Sequence, residues 1–343
     1  MAEVRLADIY NPLLFNGAMQ EAAIERNAFV ASGVAVSDPL VTQLANGPGN
    51  IGDLPFFAGL GNPQADGTNE PDYVTDNPAS NSTPAKISGS KMIWRKALMH
   101  KSWSTMDLAR DLALQDPMTA ITNRIGTYWA TNGQQRLIRS CMGILADNIA
   151  SDSGDMRYTI ATDDAGSITA AEKVSPDAVI TAKATMGDAA GELVAIAMHS
   201  VVYSELQRQN VIETELDPAG QRVLFETYLG YRIVVDDSMP AVAGSNRITY
   251  TTILFAAGAF AYGQGTPLVP SELYRSPSAG DGGGQDTIHT RATEIWHPAG
   301  FEFTSASVAG QTPTFAELET AGNWNRVYAE RKNIGIAFLQ TNG

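Results

Sequence analysis

The stretch "TYLGYRIVVDDSMP", residues 227–240, decides how the middle of the chain folds. It places Gly230 before a β-branched run that ends in two adjacent carboxylates, Asp236 and Asp237. β-Branched residues favour strands, while Pro240 lacks the N–H group that a continuing strand would need. The pattern therefore predicts two strands separated by a turn near Gly230, the second of which ends at the aspartates.

The paired aspartates allow two hypotheses. Neighbouring residues on a strand point to opposite faces, so Asp236 and Asp237 could share one ligand only beyond the strand end. We favour the interpretation that both carboxylates accept backbone N–H groups in the turn before Pro240. The alternative, from another class of protein, is a metal-dependent hydrolase that uses Asp236 and Asp237.

Helices and strands alternate on both sides of this stretch. Ser175 and Pro176 predict the start of a helix, followed by a strand in "ELVAIAMHS" and a helix in "VVYSELQRQN". Further on, "RITYTTILFAAGAFAYGQG" predicts two strands broken near Gly258, and residues 266–286 are predicted to form a mobile loop because they are rich in glycine and serine. "TIHTRATEIWHPAGFEF" predicts a long strand with a turn at residues 297–300, and the chain closes with a short helix and an apolar strand. This alternation is typical of an α/β unit.

A long helix is predicted upstream. Asp116 and Pro117 are suited to its N-cap and first position, and the apolar periodicity then continues for about 50 Å of helix at 1.5 Å per residue. Residues 104–115 predict a shorter helix before it. Three glycines inside the long helix predict a bend or a close packing contact: Gly126, Gly133 and Gly143.

Residues 51–100 have an unusual charge pattern. No Lys or Arg occurs between Asn27 and Ala85, whereas five basic residues and no carboxylate occur from Lys86 to Met106. The segment between the two halves is rich in Pro, Gly, Asn and Asp, which favour turns and extended backbone. We therefore predict a long hairpin with an acidic and a basic half. An isolated two-stranded ribbon is marginal in water, so the hairpin should dock on another surface.

Composition excludes several classes. The chain of 343 residues is 44% apolar and 17% charged, and its 23 Lys plus Arg against 37 Asp plus Glu give a net charge of -14. Direct duplex binding is not expected, since it needs clustered cations. The single cysteine, Cys141, excludes an internal disulfide and a four-cysteine zinc site. No secretory leader and no apolar run of about 20 residues is present, so we expect a soluble protein made in a cytoplasm.

Motifs for chemistry are missing. None of the four histidines has another His or Cys at zinc-ligand spacing, and we interpret all four as surface or polar-packing residues: His100, His199, His289 and His297. No G-x-S-x-G elbow, dinucleotide fingerprint or phosphate loop is found. We therefore predict no catalytic residue, no cofactor-binding residue, no metal site and no enzyme activity.

Six stretches in this order resemble the major capsid protein of tailed double-stranded DNA bacteriophages. They are "AFVASGVAVSDP", "DLARDLALQDPMTAITNRIGTYW", "AMHSVVYSELQRQNVIE", "TYLGYRIVVDDSMP", "ILFAAGAFAYGQG" and "NWNRVYAERKNIGIAFLQTN". The resemblance implies an α+β protein with the Hong Kong 97-type capsid fold. Five parts are then expected: an N-terminal arm (1–50), an extended hairpin loop (51–100), a peripheral domain with the spine helix (101–174), an axial α/β domain (175–286), and return strands of the peripheral domain with a C-terminal helix and strand (287–343).

The resemblance also implies the function. We expect a coat protein that self-assembles into pentamers and hexamers, forms the icosahedral head, and encloses double-stranded DNA without sequence-specific binding. Expected partners are copies of itself, a portal protein and a decoration protein. Met1 leads straight into the arm, so we also expect a separate scaffolding protein; the alternative is that a scaffolding segment is absent from this chain. The expected location is the virion, after assembly in the bacterial cytoplasm, with no membrane partner. An encapsulin-like compartment protein of the same fold is the second alternative.

Overall fold

The computed structural model describes residues 28–57, 59–60, 69–82, 84–108, 117–216 and 223–343. The helices of these residues are α1 (Ala28–Ala31), α2 (Pro39–Asn46), α3 (Pro117–Ser151), α4 (Pro176–Ala184), α5 (Ser200–Arg208) and α6 (Phe315–Glu319). The strands are β1 (Ala35–Ser37), β2 (Ile51–Phe57), β3 (Gly89–Arg95), β4 (Ala97–Met106), β5 (Arg157–Thr159), β6 (Leu193–Met198), β7 (Glu213–Leu216), β8 (Val223–Tyr228), β9 (Tyr231–Val235), β10 (Ala241–Ala243), β11 (Ile248–Ala256), β12 (Phe260–Gly265), β13 (Ser271–Ser276), β14 (Gln285–Pro298), β15 (Phe301–Phe303), β16 (Trp324–Arg326) and β17 (Ile336–Thr341). No helix in the described ranges combines the length and hydropathy that a bilayer crossing would need.

The larger sheet contains the strand that ends at Asp236. Its order is β5-β17-β11-β6-β9-β8-β7, with β10 beside β11. β6 and β9 run parallel, and α5 lies between them in the chain. Helices α4 and α5 cover the sheet through Val179, Val202 and Leu206, which are completely buried. The final strand, β17, also lies here, between β5 and β11.

The turn predicted near Gly230 is present between β8 and β9. Leu229 and Gly230 have φ angles of 52° and 82°, so two successive residues adopt the left-handed region. Tyr228 and Tyr231 are paired across the turn. A two-residue turn of this kind matches the twist of antiparallel strands, and Gly230 adopts its angle without a steric penalty.

The second sheet is organised around β14. β4 lies along one edge of β14, β12 and β13 share the other edge, and β1 is parallel to β12. The prediction of a mobile loop over residues 266–286 was wrong, because β13 forms there and pairs with the first half of β14. Ser271 is buried and the two following residues alternate in exposure, while the glycine run is confined to the turn before β14.

Strand pairing crosses two of the expected domain boundaries. β12 and β13 pair with β14, although we placed residues 175–286 together in the axial part. β4 continues from residue 97 to residue 106, across the expected boundary at residue 100, because its residues stay in register with β14. Residues 104–106, predicted as the start of a helix, belong to β4. The rest of that helix, from residue 109, and the N-cap at Asp116 lie outside the described residues.

Helix α3 confirms the long helix predicted from Pro117. Its 35 residues correspond to about 52 Å. Near its start, Ile125 and Trp129 pack against Ile288 and Ala292 of β14. Further along, residues 137–145 enter the largest core, which also contains residues of β11, β15 and β17. The helix therefore connects the two sheets.

Close packing is confirmed at two of the helix glycines. A Cβ atom at Gly143 would overlap the carbonyl oxygen of Leu318 and the indole of Trp324. A Cβ atom at Gly133 would lie 3.0 Å from the ring of Trp296. At these two positions the missing side chain lets neighbouring segments approach the helix axis.

The segment from residue 28 to residue 46 has no core of its own. Phe29 and Val34 are buried in the largest core. Val41 and Ala45 of α2 form a small cluster with Trp94, at the base of the hairpin. Residues 1–27, the rest of the expected arm, lie outside the described residues.

Candidate functional site

Asp236 and Asp237 lie at the end of β9 but point to different partners. The Oδ1 atom of Asp236 accepts the backbone N–H of Ser238 at 2.7 Å, and its Oδ2 accepts the side-chain amide of Gln134. Asp237 is exposed and accepts the hydroxyl and the N–H of Ser200, which lowers the pKa of its carboxyl. The two carboxylates therefore do not converge on a common ligand.

Asp237 contributes to the start of α5. His199 is the N-cap of this helix, and its Nδ1 atom accepts the N–H of Val201 at 3.2 Å. The Oδ1 atom of Asp237 lies 4.0 Å from the same Nδ1 atom. A carboxylate beside the first turn of a helix satisfies free N–H groups and interacts favourably with the helix dipole. This geometry explains the aspartate as a structural residue.

The histidines have three different environments. His297 is 5% exposed, and burial lowers its pKa to about 4. His199 caps a helix. His100 and His289, from β4 and β14, lie together with 3.3 Å between Nε2 and Nδ1. Spacing along the sequence could not reveal that pair, since its members are 189 residues apart and only strand pairing brings them together.

Buried ionisable groups lie between the spine helix α3 and β14. Burial lowers the pKa of Arg136 to about 10 and raises the pKa of Glu294. Arg136 donates to the carbonyl of Pro313 at 3.1 Å, and Glu294 accepts the indole N–H of Trp296 at 2.9 Å. Cys141 on the same helix is fully buried, and burial raises the pKa of its thiol. A thiol held protonated away from solvent is inert.

Across the described ranges, no three His, Cys, Asp or Glu residues are grouped so that they could hold a metal ion.

The hairpin predicted over residues 51–100 is present as β2 and β3. The two strands pair antiparallel from Ile51 and Arg95 to Phe57 and Gly89. Its base is fixed to the body, because Arg95 donates to the carbonyl of Gly310 at 2.6 Å. From residue 69 to residue 91, every described residue is exposed. The hairpin therefore leaves the body of its own subunit.

Three of the basic residues after the hairpin turn are bound within the chain. Lys91 pairs with Asp53 across the hairpin at 2.7 Å. Lys96, which is 4% exposed, donates to the carbonyl of Gly47 at 2.7 Å. Together with Arg95, these side chains hold the base of the hairpin. Most of the basic half is thus used inside the subunit, which the charge pattern alone did not indicate.

The loops at one end of the larger sheet are held by a polar network. Asp163 accepts the N–H groups of three consecutive residues, 245–247, which lowers the pKa of its carboxyl. Arg247 pairs with Glu172 at 2.6 Å. The Thr169 N–H, followed by Arg247 and Thr162, lowers the pKa of Glu172 to about 2. These contacts order a loop tip without a large apolar core.

A spine helix between two sheets, a projecting hairpin and an ordered loop tip define the class of this protein as a tailed-phage capsid subunit with the Hong Kong 97-type fold. Solved capsids agree with it. The cyanophage Pam1 capsid asymmetric unit matches with a TM-score of 0.54 and 12% identity, over 90% of this chain and 87% of that chain. The capsid of Ralstonia phage GP4 matches with a TM-score of 0.54 and 11% identity, over 90% and 86%. At such identities the matches show the fold.

The sequence comparisons show the family. The family model Gp13-like, described as major capsid protein 13-like, matches residues 111–335. The major capsid protein of Bacillus phage SPP1 is 32% identical over 335 residues, which cover 97% of this chain and 96% of that protein. The chain belongs to the Gp13-like family of phage major capsid proteins.

Membership in this family decides between the functional hypotheses. The chain is a structural subunit of a phage head and not an enzyme. The hydrolase alternative at Asp236 and Asp237 is therefore rejected, in agreement with the separate partners of the two carboxylates.

Proposed function

We propose that the subunit assembles into pentamers and hexamers of a closed icosahedral shell around double-stranded DNA, and that the β2–β3 hairpin is the arm that reaches over an adjacent subunit. The observation that carries the proposal is the exposure of every described residue from 69 to 91, beyond a hairpin base that is fixed to the body through Arg95. Extensions that bind neighbours are typical of subunits in closed symmetric assemblies.

The hairpin exposes apolar side chains that a monomer would keep covered. Phe57 is 74% exposed, Tyr73 is 77% exposed and Val74 is fully exposed at 101%. Exposed apolar groups that cluster on one element mark a surface for another protein. We therefore assign these side chains to the contact with the next subunit.

The charge of the hairpin sets what it binds. Residues 69–82 carry three carboxylates and no basic residue: Glu70, Asp72 and Asp76. Lys86 is the only basic residue in the sequence from 69 to 90, so the outer part of the hairpin is net acidic. The surface that receives it should be basic, since complementary potentials fix register between partners.

Strand pairing supports a division into domains. We propose a peripheral unit of α3 and the sheet around β14, and an axial unit of the sheet that contains β9 and β17. The pairing of β12 and β13 with β14 supports a boundary near residue 258 in place of residue 286.

We further propose a separate scaffolding protein, a portal protein, a decoration protein and assembly in the bacterial cytoplasm. A net charge of -14 supports enclosure of DNA without tight binding.

Removal of the outer hairpin tests the proposal. Residues 69–82 are replaced by a short Gly-Ser linker, and the variant is expressed with and without a scaffolding protein. We expect circular dichroism and thermal unfolding like those of the parent chain, but no closed shells in sedimentation or electron microscopy. The matched control is the single change Tyr73→Phe, which keeps the apolar ring and should form shells. Shells of normal size from the deletion would refute the role of the hairpin.

A further inference from the structure

We propose that His100 and His289 form a binding site for one divalent transition-metal ion, of the Zn²⁺, Ni²⁺ or Cu²⁺ class, on the exposed face of the sheet around β14. This site is independent of the assembly role of the hairpin, and nothing in the spacing of the two residues along the chain indicates it.

Strand register places both imidazoles on one face. On β4, His100 is opposite Arg291, and on β14, His289 is opposite Ser102, so the histidines are diagonal neighbours. The alternate positions point to the other face, where Trp103 packs with the completely buried Ile288 against α3. Helix α2 packs on this face only further along β14, where Val41 and Ala45 contact Ile295, and His100 is exposed.

The distance between the two ring nitrogens fits a shared metal ion. Nε2 of His100 and Nδ1 of His289 are 3.3 Å apart, and the rings are stacked with centroids 5.6 Å apart at 21°. With metal–nitrogen bonds of about 2.0–2.1 Å, that separation corresponds to an N–metal–N angle of about 107°. The angle is that of two ligands in a tetrahedral site.

Metal binding requires only a local change at the two rings. In the present arrangement one nitrogen donates a hydrogen bond to the other. On binding, the ring that carries this proton moves it to its other nitrogen through water, so both imidazoles stay neutral and offer a lone pair. The χ2 torsion of histidine has a broad energy minimum, so the rings can turn towards a common point.

The surroundings define the strength of the site. Imidazole nitrogen selects Zn²⁺, Ni²⁺ and Cu²⁺ over Mg²⁺ and Ca²⁺. Glu272 is directly opposite His289, but its carboxylate lies 3.4 Å from the guanidinium of Arg291. The described residues supply no group of three or more ligands, so water completes the coordination and binding is of modest affinity.

The site has a structural consequence. β4 follows the hairpin strand β3 after one residue, Lys96. A metal ion held by both histidines ties β4 to β14 next to the base of the hairpin. Because the ligands come together only in the folded chain, bound metal stabilises the fold.

The test is a titration of the purified full-length chain with Ni²⁺, monitored by isothermal calorimetry, and with Cu²⁺, monitored by electron paramagnetic resonance. We expect one ion per chain, nitrogen splitting from two imidazoles, and a higher unfolding midpoint with Ni²⁺ than with EDTA. His100→Gln and His289→Gln should each weaken binding by about tenfold or more and leave one nitrogen in the Cu²⁺ spectrum. His199→Asn, which keeps a good N-cap, should bind like the parent chain.

Two results would overturn the proposal. One is the absence of saturable Ni²⁺ binding below a dissociation constant of about 1 mM. The other is unchanged binding in His100→Gln and His289→Gln. The unfolding midpoints of both variants in EDTA are measured first. If one variant is unfolded, the Cu²⁺ spectrum of the parent chain decides, because coordination by fewer than two nitrogens contradicts the site.

Discussion

The side-chain amide of Gln134 on the spine helix donates to the Oδ2 atom of Asp236 at the end of β9. The Oε1 atom of the same glutamine accepts the backbone N–H of Ala28 at 3.2 Å. One side chain therefore connects the arm, the spine helix and the larger sheet. Asp236, which the sequence offered as a possible catalytic residue, joins parts of the fold.

Replacement of Gln134 should destabilise the subunit. Gln134→Leu leaves the Ala28 N–H and one oxygen of Asp236 without their partner, which costs about 1–3 kcal/mol. The free energy of unfolding is measured in urea on unassembled chain. The matched control is Gln43→Leu on the exposed side of α2, which should change it by less than about 0.5 kcal/mol.

A double-mutant cycle isolates the contact. Asp236→Asn presents an amide that can conflict with the amide of Gln134, so this variant should also be destabilised. The two changes together should cost less than the sum of the single costs, with an interaction energy of about 1 kcal/mol. Strict additivity would show that Gln134 and Asp236 do not stabilise each other.

The paired aspartates should not bind magnesium or manganese. Asp236 is used by Gln134 and Ser238, and Asp237 by Ser200, so no shared pair of oxygens is available for an ion that prefers carboxylate ligands. Calorimetric titration of the parent chain and of the double variant Asp236→Asn, Asp237→Asn with Mg²⁺ and Mn²⁺ should give the same small heats. Saturable binding of Mg²⁺ or Mn²⁺ by the parent chain, but not by the double variant, would show that Asp236 and Asp237 form a metal site.

Local signals predicted much of the fold. Ser175 and Pro176 start α4 as expected, since the serine accepts the N–H of Ala178. The turn at Leu229 and Gly230 and the long helix from Pro117 also occur where the sequence placed them. These features depend on caps, turns and periodicity, all of which act within a few residues.

Long-range pairing accounts for what the sequence did not predict. Strand β13 lies in a polar, glycine-rich stretch whose composition does not indicate a strand. It forms because it pairs with β14, which follows after a long turn. The contact of Lys91 with Asp53 bridges 38 positions and that of His100 with His289 bridges 189. A single sequence shows which residues carry charge or imidazole, but not which of them the sheets bring together.

A methyl group at Gly143 should be poorly tolerated. The Cβ atom of Gly143→Ala would overlap the Leu318 carbonyl and the Trp324 indole, and both belong to the packed region around α6. Overpacking of this kind costs about 1–3 kcal/mol or more, although alanine favours helix. We expect a lower midpoint in thermal unfolding of unassembled chain, by several degrees.

The control for this prediction is Gly191→Ala. Apart from the local backbone, no atom lies within 4 Å of a Cβ built at Gly191, so added bulk should be harmless there. If Gly143→Ala unfolds at the same temperature as Gly191→Ala or above it, the spine helix does not need the close approach of Leu318 and Trp324.

The pH dependence of stability should depend on Glu172. The N–H of Thr169, the guanidinium of Arg247 and the hydroxyl of Thr162 lower the pKa of this carboxyl from its ordinary value of 4.5 to about 2 in the folded chain. A group with a depressed pKa in the folded state stabilises the fold at pH values above 4.5, and this contribution is lost as the pH falls towards 2. Glu172→Gln should therefore unfold at a lower temperature than the parent chain at pH 7, and the difference should shrink between pH 4.5 and pH 2. Scanning calorimetry of the unassembled chain between pH 7 and pH 2 measures the difference in unfolding temperature. The control is Glu192→Gln, which removes the same charge at an exposed position. A difference that stays constant down to pH 2 would mean that the ionised form of Glu172 is not what holds the loop tip through Arg247.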